Sequence, residues 1–245
     1  QMKALTEAGR ALCFTAHAQN DMAHNAQDVN RQQAARERAD LLTPLAKGWS
    51  TEIANEVTSL GVQIHGGMGF IEETGAAQHY RDARILTIYE GTNGIQALDL
   101  IGRKLTRDGG AMMASLVDDM TQRCQALAEH KDLEDIATAM SAAVQTLRDS
   151  SEWVLSNAKE PNLTGTVAFD YLMLSGYVTG AWLLGGKALA AQQQLDAGEG
   201  NVDFMQAKIG VARFFMTNIL PRSVAHWQSM QAGSRSIMAL TENQF

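Results

Sequence analysis

Apolar residues recur at intervals of three and four along most of this sequence, the spacing that puts them on one face of an α-helix. From Met2 to about Asn25, Leu5 and Leu12 share a face with the small residues Ala8, Gly9, Thr15 and Ala16. This predicts a helix that packs closely on a neighbour. Residues 26–40 are polar and turn-forming, then helical with charge, and read as a connection. Thr43-Pro44 reads as a helix start, with threonine as N-cap and proline at the first helical position. Leu45, Trp49, Ile53, Val57 and Leu60 then predict a helix ending near Ile64, where Gly66-Gly67 stops it. Thr74 is expected to cap a short helix through Gln78, Asp82 and Leu86. Thr92 or Asn93 caps the next, whose apolar positions are Ile95, Leu98, Ile101 and Leu105.

Arg107-Asp108-Gly109-Gly110 is the strongest break in the pattern and divides the chain into 1–107 and 108–245. Beyond it two stripes, Met113/Leu116/Met120/Cys124/Leu127 and Leu133/Ile136/Met140/Val144/Leu147, predict antiparallel helices. A long apolar helix should run from about Thr166 to Leu195, a fourth from Val202 to Leu220, and a short fifth should open at Pro221. Short links make this an up-and-down bundle. The segment 167–184 approaches membrane-spanning length. Asp170 lies inside it, however, and Ser175, Thr179 and several glycines dilute it. It reads as a helix buried in the bundle, with Gly176 and Gly180 admitting a close neighbour, and no membrane span is expected.

Composition agrees with an all-α fold: 245 residues hold only three prolines, and alanine, leucine, glutamine and methionine favour helix. The net charge is −7, and the region 108–245 carries 9 basic against 15 acidic side chains. No basic surface for nucleic acid is expected. Cys13 and Cys124 fit no metal spacing, and no metal site is expected. Both fall on apolar helix faces and read as buried free thiols, which suits a reducing, cytoplasmic setting.

Two glycine-rich loops carry the candidate chemistry: His65-Gly66-Gly67-Met68-Gly69-Phe70 and Tyr89-Glu90-Gly91-Thr92-Asn93-Gly94. Glycines let a backbone approach a ligand closely. Glu90 has two readings, an exposed carboxylate beside the cap of a helix, or a base enclosed by apolar neighbours such as Ile88. The first loop lacks the strand-turn-helix setting of a dinucleotide fingerprint, and beside it His65 reads as structural. Arg81-Asp82 and Arg84 read as local ion pairs holding the Glu90 loop.

Three ordered motifs carry a resemblance that spacing alone does not provide. Gln63-Ile64-His65-Gly66-Gly67-Met68-Gly69-Phe70, Tyr80-Arg81-Asp82-Ala83-Arg84-Ile85 and Ile88-Tyr89-Glu90-Gly91-Thr92 resemble the C-terminal helical domain of acyl-CoA dehydrogenases. The match covers about Met2 to Leu105. The remainder resembles the extra C-terminal helical domain of a longer subfamily that includes 3-methylmercaptopropionyl-CoA dehydrogenases. The implied fold is the family's C-terminal helical bundle followed by a second, up-and-down helical bundle.

By this resemblance Glu90 matches the catalytic base, which takes the α-proton of an acyl-CoA thioester while the β-hydride goes to flavin N5. The backbone N–H of the same residue helps to polarise the thioester carbonyl. Gly91 matches the residue lying beside the substrate. Gln63, Ile64, His65, Gly66 and Gly67 match a segment contacting FAD bound by a neighbouring subunit, and Thr92 and Asn93 match positions near the flavin diphosphate. A homo-oligomer, dimer or tetramer, is implied, as is an electron-transfer flavoprotein as acceptor. Gly94 and Ala97 stand where many members have Gln and Arg. The family's N-terminal helical and middle β-domains, and the first helix of this domain, have no counterpart in these residues. The expectation is a C-terminal fragment, inactive alone. A helical assembly module without its own catalysis is the alternative.

Overall fold

The computed structural model of the chain describes residues 1–235, 237 and 239–244, and every regular element among them is helical. Helix α1 (Met2–Asn25) turns into α2 (Val29–Pro44), which a π-helical turn, Leu45–Trp49, joins directly to α3 (Ser50–Ile64). The short α4 (Gly67–Phe70) and α5 (Ala76–Ile85) follow. Helix α6 (Asn93–Asp99) runs on into a second π-helical stretch, Leu100–Leu105. Then come α7 (Ala111–Ala128), α8 (Glu134–Ser156), α9 (Leu163–Asp196), α10 (Val202–Asn218) and α11 (Arg222–Gln231).

Residues 26–40, expected to be a connection, are largely helix α2. Asp28 caps it, its carboxylate accepting from the N–H groups of Asn30 at 2.7 Å and Arg31 at 3.1 Å. The buried face starts with Ala35 and Ala39, which carry little hydrophobic signal but pack closely on α1. Thr43-Pro44 does not start a helix. Thr43 Oγ1 donates to the Ala39 carbonyl at 2.8 Å, and the helix passes through the proline. Pro44 offers no N–H, and the turn that follows widens to π geometry. Thr74 does not cap α5 either. Its hydroxyl donates to the Met68 and Ile71 carbonyls, and Gly75, at φ 77°, leads into the helix.

The two stripes of α7 and α8 are buried as expected. Helix α9 is the axis of the fold and packs against α1, α6, α8, α10 and α11. Its most apolar window is 78% buried inside the protein, the burial of a central bundle helix. Asp170, the charge interrupting its apolar run, lies 2.7 Å from His226 Nδ1 on α11. One cluster of buried apolar side chains extends from Ala4 to Met230 and crosses the turn at Gly109-Gly110.

The tightest contact is between α9 and the first π turn. A Cβ on Gly176 would stand 2.2 Å from Trp49 Cγ, and one on Gly180 would stand 2.9 Å from Trp49 Cη2. The missing side chains are thus the slot for a fully buried indole, which meets Tyr177 edge-on at 5.7 Å. Cys124 is buried, and burial pushes its thiol pKa up against the pull of a hydrogen bond with Ser141. Cys13, expected to be buried too, is only partly covered.

Candidate functional site

The second loop is held from below. Asn93 is 4% exposed, and its carboxamide oxygen accepts from Lys47 Nζ at 2.9 Å and Thr51 Oγ1 at 3.1 Å. Its Nδ2 lies within hydrogen-bonding distance of the Gly48 carbonyl (3.1 Å), Thr51 Oγ1 (2.9 Å) and Glu52 Oε1 (2.8 Å). Its backbone N–H donates to the Thr87 carbonyl at 3.1 Å and closes the loop. Thr92 caps α6 as expected, accepting from the Ile95 N–H at 3.3 Å. Between these anchors Glu90 takes φ 52° and Gly91 φ 84°. A left-handed glutamate costs on the order of 1 kcal/mol, a strain that these anchors hold in place. A Cβ on Gly91 would come within 3.0 Å of Gln96 Nε2.

Burial lowers the pKa of Lys47, and the nearby Glu52 and Glu90 oppose that shift. The lysine thus sits beneath the loop with its ammonium nitrogen on the Asn93 carboxamide oxygen. Lys47, Thr51 and Asn55 recur every four residues, a polar stripe beside the apolar one. That spacing was the available sign of Lys47 and Thr51 beneath the loop and of Asn55 beside it, which reading the apolar stripe alone passes over. An open cleft of about 540 Å³ adjoins the loop, lined by Asn55, Tyr80, Arg84, Thr92, Gly94 and Phe169 among others. Among the described residues Asn55 Oδ1 is buried without a donor, while its Nδ2 donates to the Thr51 carbonyl at 2.8 Å.

Glu90 itself is exposed, as is Ile88, so this chain does not by itself supply the apolar enclosure expected around the carboxylate. Ile95 and Leu98, expected to face inward, also lie at the surface. Ile101 and Leu105 are buried as expected, and Asn93, Ala97 and Leu100 complete the buried face in place of Ile95 and Leu98.

The first loop sits at the other end of α3. Gln63, Ile64, His65, Gly66 and Gly67 are all exposed. His65 Nδ1 lies 2.8 Å from the Gly61 carbonyl, a local bond at the helix end. Gly66 has φ 61°, and a Cβ on Gly66 or Gly67 would meet nothing within 4 Å. This bare backbone is skirted by Ile64, 73% exposed, and Phe70, 82% exposed. Gly69 differs, since its Cβ would strike the Val62 carbonyl oxygen at 2.2 Å. From Thr51, beneath the Glu90 loop, to Gln63 is twelve residues of helix, roughly 18 Å at 1.5 Å per residue. The two groups of site residues are therefore not brought together within one chain.

The arginines are placed differently from expectation. Arg81 makes a two-pronged pair with Glu72, at 2.8 and 2.7 Å, rather than with Asp82, and so braces the turn after the first loop. Arg84 donates to Thr87 Oγ1 ahead of Glu90.

Comparison with known proteins places the chain in a family. A model described as acyl-CoA dehydrogenase, C-terminal domain, matches residues 1–106, and one described as acetyl-CoA dehydrogenase C-terminal like matches residues 116–241. The chain is 44% identical over 227 residues to the 3-methylmercaptopropionyl-CoA dehydrogenase of Ruegeria pomeroyi, covering 90% of this chain and 37% of that protein. It is 31% identical over 250 residues to a butyryl-CoA dehydrogenase of Syntrophomonas wolfei, covering 99% and 40% respectively. A crystal structure of Caenorhabditis elegans ACDH-11 in complex with C11-CoA superposes with a TM-score of 0.73 at 19% identity, over 97% of this chain and 37% of that one, and shows the shared fold.

Proposed function

This chain belongs to the acyl-CoA dehydrogenase family, and from that premise we propose that it is the C-terminal part of an FAD-dependent enzyme that introduces an α,β double bond into an acyl-CoA thioester. The observation that carries this reading is the Glu90 loop: a left-handed carboxylate, anchored on both sides and beside a bare Gly91, held at the protein surface. In the proposed reaction the Glu90 carboxylate takes the α-proton, and its backbone N–H polarises the thioester carbonyl. Gly91 keeps the path along the acyl chain free of a side chain. Lys47, Thr51 and Asn93 are positioning residues, since they hold the loop.

The residues present fit part of a flavin site. The bare Gly66-Gly67 backbone with its exposed apolar skirt offers a face for a large ring-bearing ligand, and Asn55 Oδ1 is a buried acceptor awaiting a donor. Gln63, Ile64, His65, Gly66 and Gly67 would hold FAD at one end of α3. Thr92 and Asn93 would do so at the other, with Asn93 acting through its backbone because its side chain is engaged beneath the loop. A bound flavin supplies the acceptor for the β-hydride. The separation along α3 supports a homo-oligomer, dimer or tetramer, in which the first loop of one subunit serves the flavin of another. Electrons would pass on to an electron-transfer flavoprotein, and the free thiols Cys13 and Cys124 suit a cytoplasmic setting.

The exposed Ile64, Phe70, Ile85 and Ile95 also favour a second reading, a module whose task is assembly. Flavin retention separates the two. Full-length protein should leave gel filtration yellow and oxidise a CoA thioester, whereas residues 1–245 alone should lose FAD and show no turnover. A colourless, inert full-length protein would support the assembly reading. An active 245-residue piece would refute the shared site.

A further inference from the structure

Away from the Glu90 loop, α1, α7, α9 and α10 enclose a cleft of about 650 Å³ that shares no lining residue with the cleft beside that loop. Arg10, Arg123, Lys187 and Lys208 line it together with one carboxylate, Glu7. Glu7 receives Lys208 Nζ at 2.9 and 3.0 Å, and Lys187 donates to the Glu7 backbone carbonyl at 3.1 Å. The lining thus keeps an excess of three positive charges in a chain whose net charge is −7. Such a concentration of one sign in a concave, partly desolvated setting focuses a field on anions.

The cleft is also built rather than accidental. The Arg123 guanidinium lies against the bare backbone of Gly186, where a Cβ would come within 2.9 Å of its terminal nitrogen. Among the described residues Arg123 has no ion-pair partner, unlike Arg38, Arg148 and Arg213 at other surfaces. Trp182 belongs to the same lining, and its Nε1 is buried without an acceptor among the described residues. Burial lowers the pKa of Lys187; Glu7 opposes this, and Lys208 and Arg10 add to it, a conflict that a bound anion would relieve. At the rim the Phe14 ring is 66% exposed, with the Arg10 guanidinium 5.9 Å from its centroid.

We propose that this cleft binds a nucleotide-type ligand, with its phosphates against Arg123, Lys187 and Lys208 and its flat base over Phe14 beside Arg10. Arginine and lysine supply charge-assisted hydrogen bonds to phosphate, and an exposed aromatic face stacks on any base. The site is independent of the reaction at Glu90.

Calorimetric titration of the full-length protein tests this, with the CoA-thioester site first saturated by an enoyl-CoA product. ADP should still bind, and more tightly than inorganic pyrophosphate. Arg123→Gln, which removes no ion pair among the described residues, should weaken ADP about tenfold, the effect of losing one charge-assisted hydrogen bond. Phe14→Ala should bring ADP down to the affinity of pyrophosphate. ADP binding that disappears when enoyl-CoA is present, or that is unchanged in Arg123→Gln, would overturn the proposal. Equal affinity of the wild type for ADP and pyrophosphate would overturn the nucleotide assignment.

Discussion

Glu90→Gln in the full-length protein should slow flavin bleaching by acyl-CoA by a factor on the order of 10² to 10⁴, the usual worth of a positioned general base. The substitution keeps size and shape but leaves an amide that cannot take the α-proton. The loop itself should stay in place. Its anchors are the Asn93 carboxamide, the Thr92 cap and the backbone bond from Asn93 to Thr87, none of which involves the Glu90 side chain. Because glutamine keeps the size of glutamate and no anchor of the loop uses this side chain, the variant should melt within about 1 kcal/mol of the wild type, and its flavin should remain bound. Stopped-flow flavin absorbance and a melting curve on the same preparation read both quantities. An unchanged reduction rate would remove Glu90 from the chemistry, and a collapsed fold would make it a structural carboxylate.

Gly176→Ala should be the most damaging small change to the fold, at about 3 kcal/mol, the upper end for overpacking a filled core. The added methyl would overlap Trp49 Cγ, Cδ1 and Cβ at 2.2, 2.4 and 2.6 Å. These atoms sit at the root of a fully buried side chain and cannot swing aside as a flexible tip could. For a chain of this size the cost corresponds to a fall in melting temperature on the order of 10 °C. Adding Trp49→Ala should not make matters worse by the full 3–5 kcal/mol typical of a buried tryptophan, because the cavity it leaves admits the new methyl. A double-mutant cycle followed by circular dichroism should therefore show strong coupling. Simple additivity would mean that the slot formed by Gly176 and Gly180 is not what seats the indole.

Where apolar side chains are large, their spacing reads directly as structure. The stripes of α7 and α8, the extent of α1, the C-terminal end of α3 and the burial of α9 all agree with that reading. Helix α2 is hidden because its inward positions begin with alanines among charges, and hydrophobicity is not what packs them. The π turns at Leu45–Trp49 and Leu100–Leu105 leave no mark in a pattern of threes and fours. The proline that starts the first one looks like a helix beginning.

At the site, the glycines announce two exposed loops, but spacing alone leaves open whether Glu90 acts in chemistry or merely ends a helix. The motif resemblance supplies the assignment to a base. Lys47, Thr51 and Asn55 escape notice because each is ordinary alone, and only their four-residue recurrence aligns them on one face of the helix, the first two bonded to Asn93. Ile95 and Leu98 have helical spacing yet lie at the surface. In the proposed enzyme the walls they face come from outside these 245 residues.

Mixed oligomers test the central claim, that the two loops of one chain serve different active sites. Gly67→Glu suits the purpose because a side chain there meets nothing within 4 Å and should not disturb the fold, yet it should obstruct a flavin resting on that backbone. Full-length subunits carrying Gly67→Glu or Glu90→Gln should each form nearly inactive homo-oligomers. When the two are co-expressed with different affinity tags and the hybrids purified, one site of each hybrid pair combines an intact base with an intact first loop. Turnover should then recover to about half that of the wild type, an estimate that assumes independent sites. Hybrids no more active than their parents would show that both loops act in the same site, and would contradict the account.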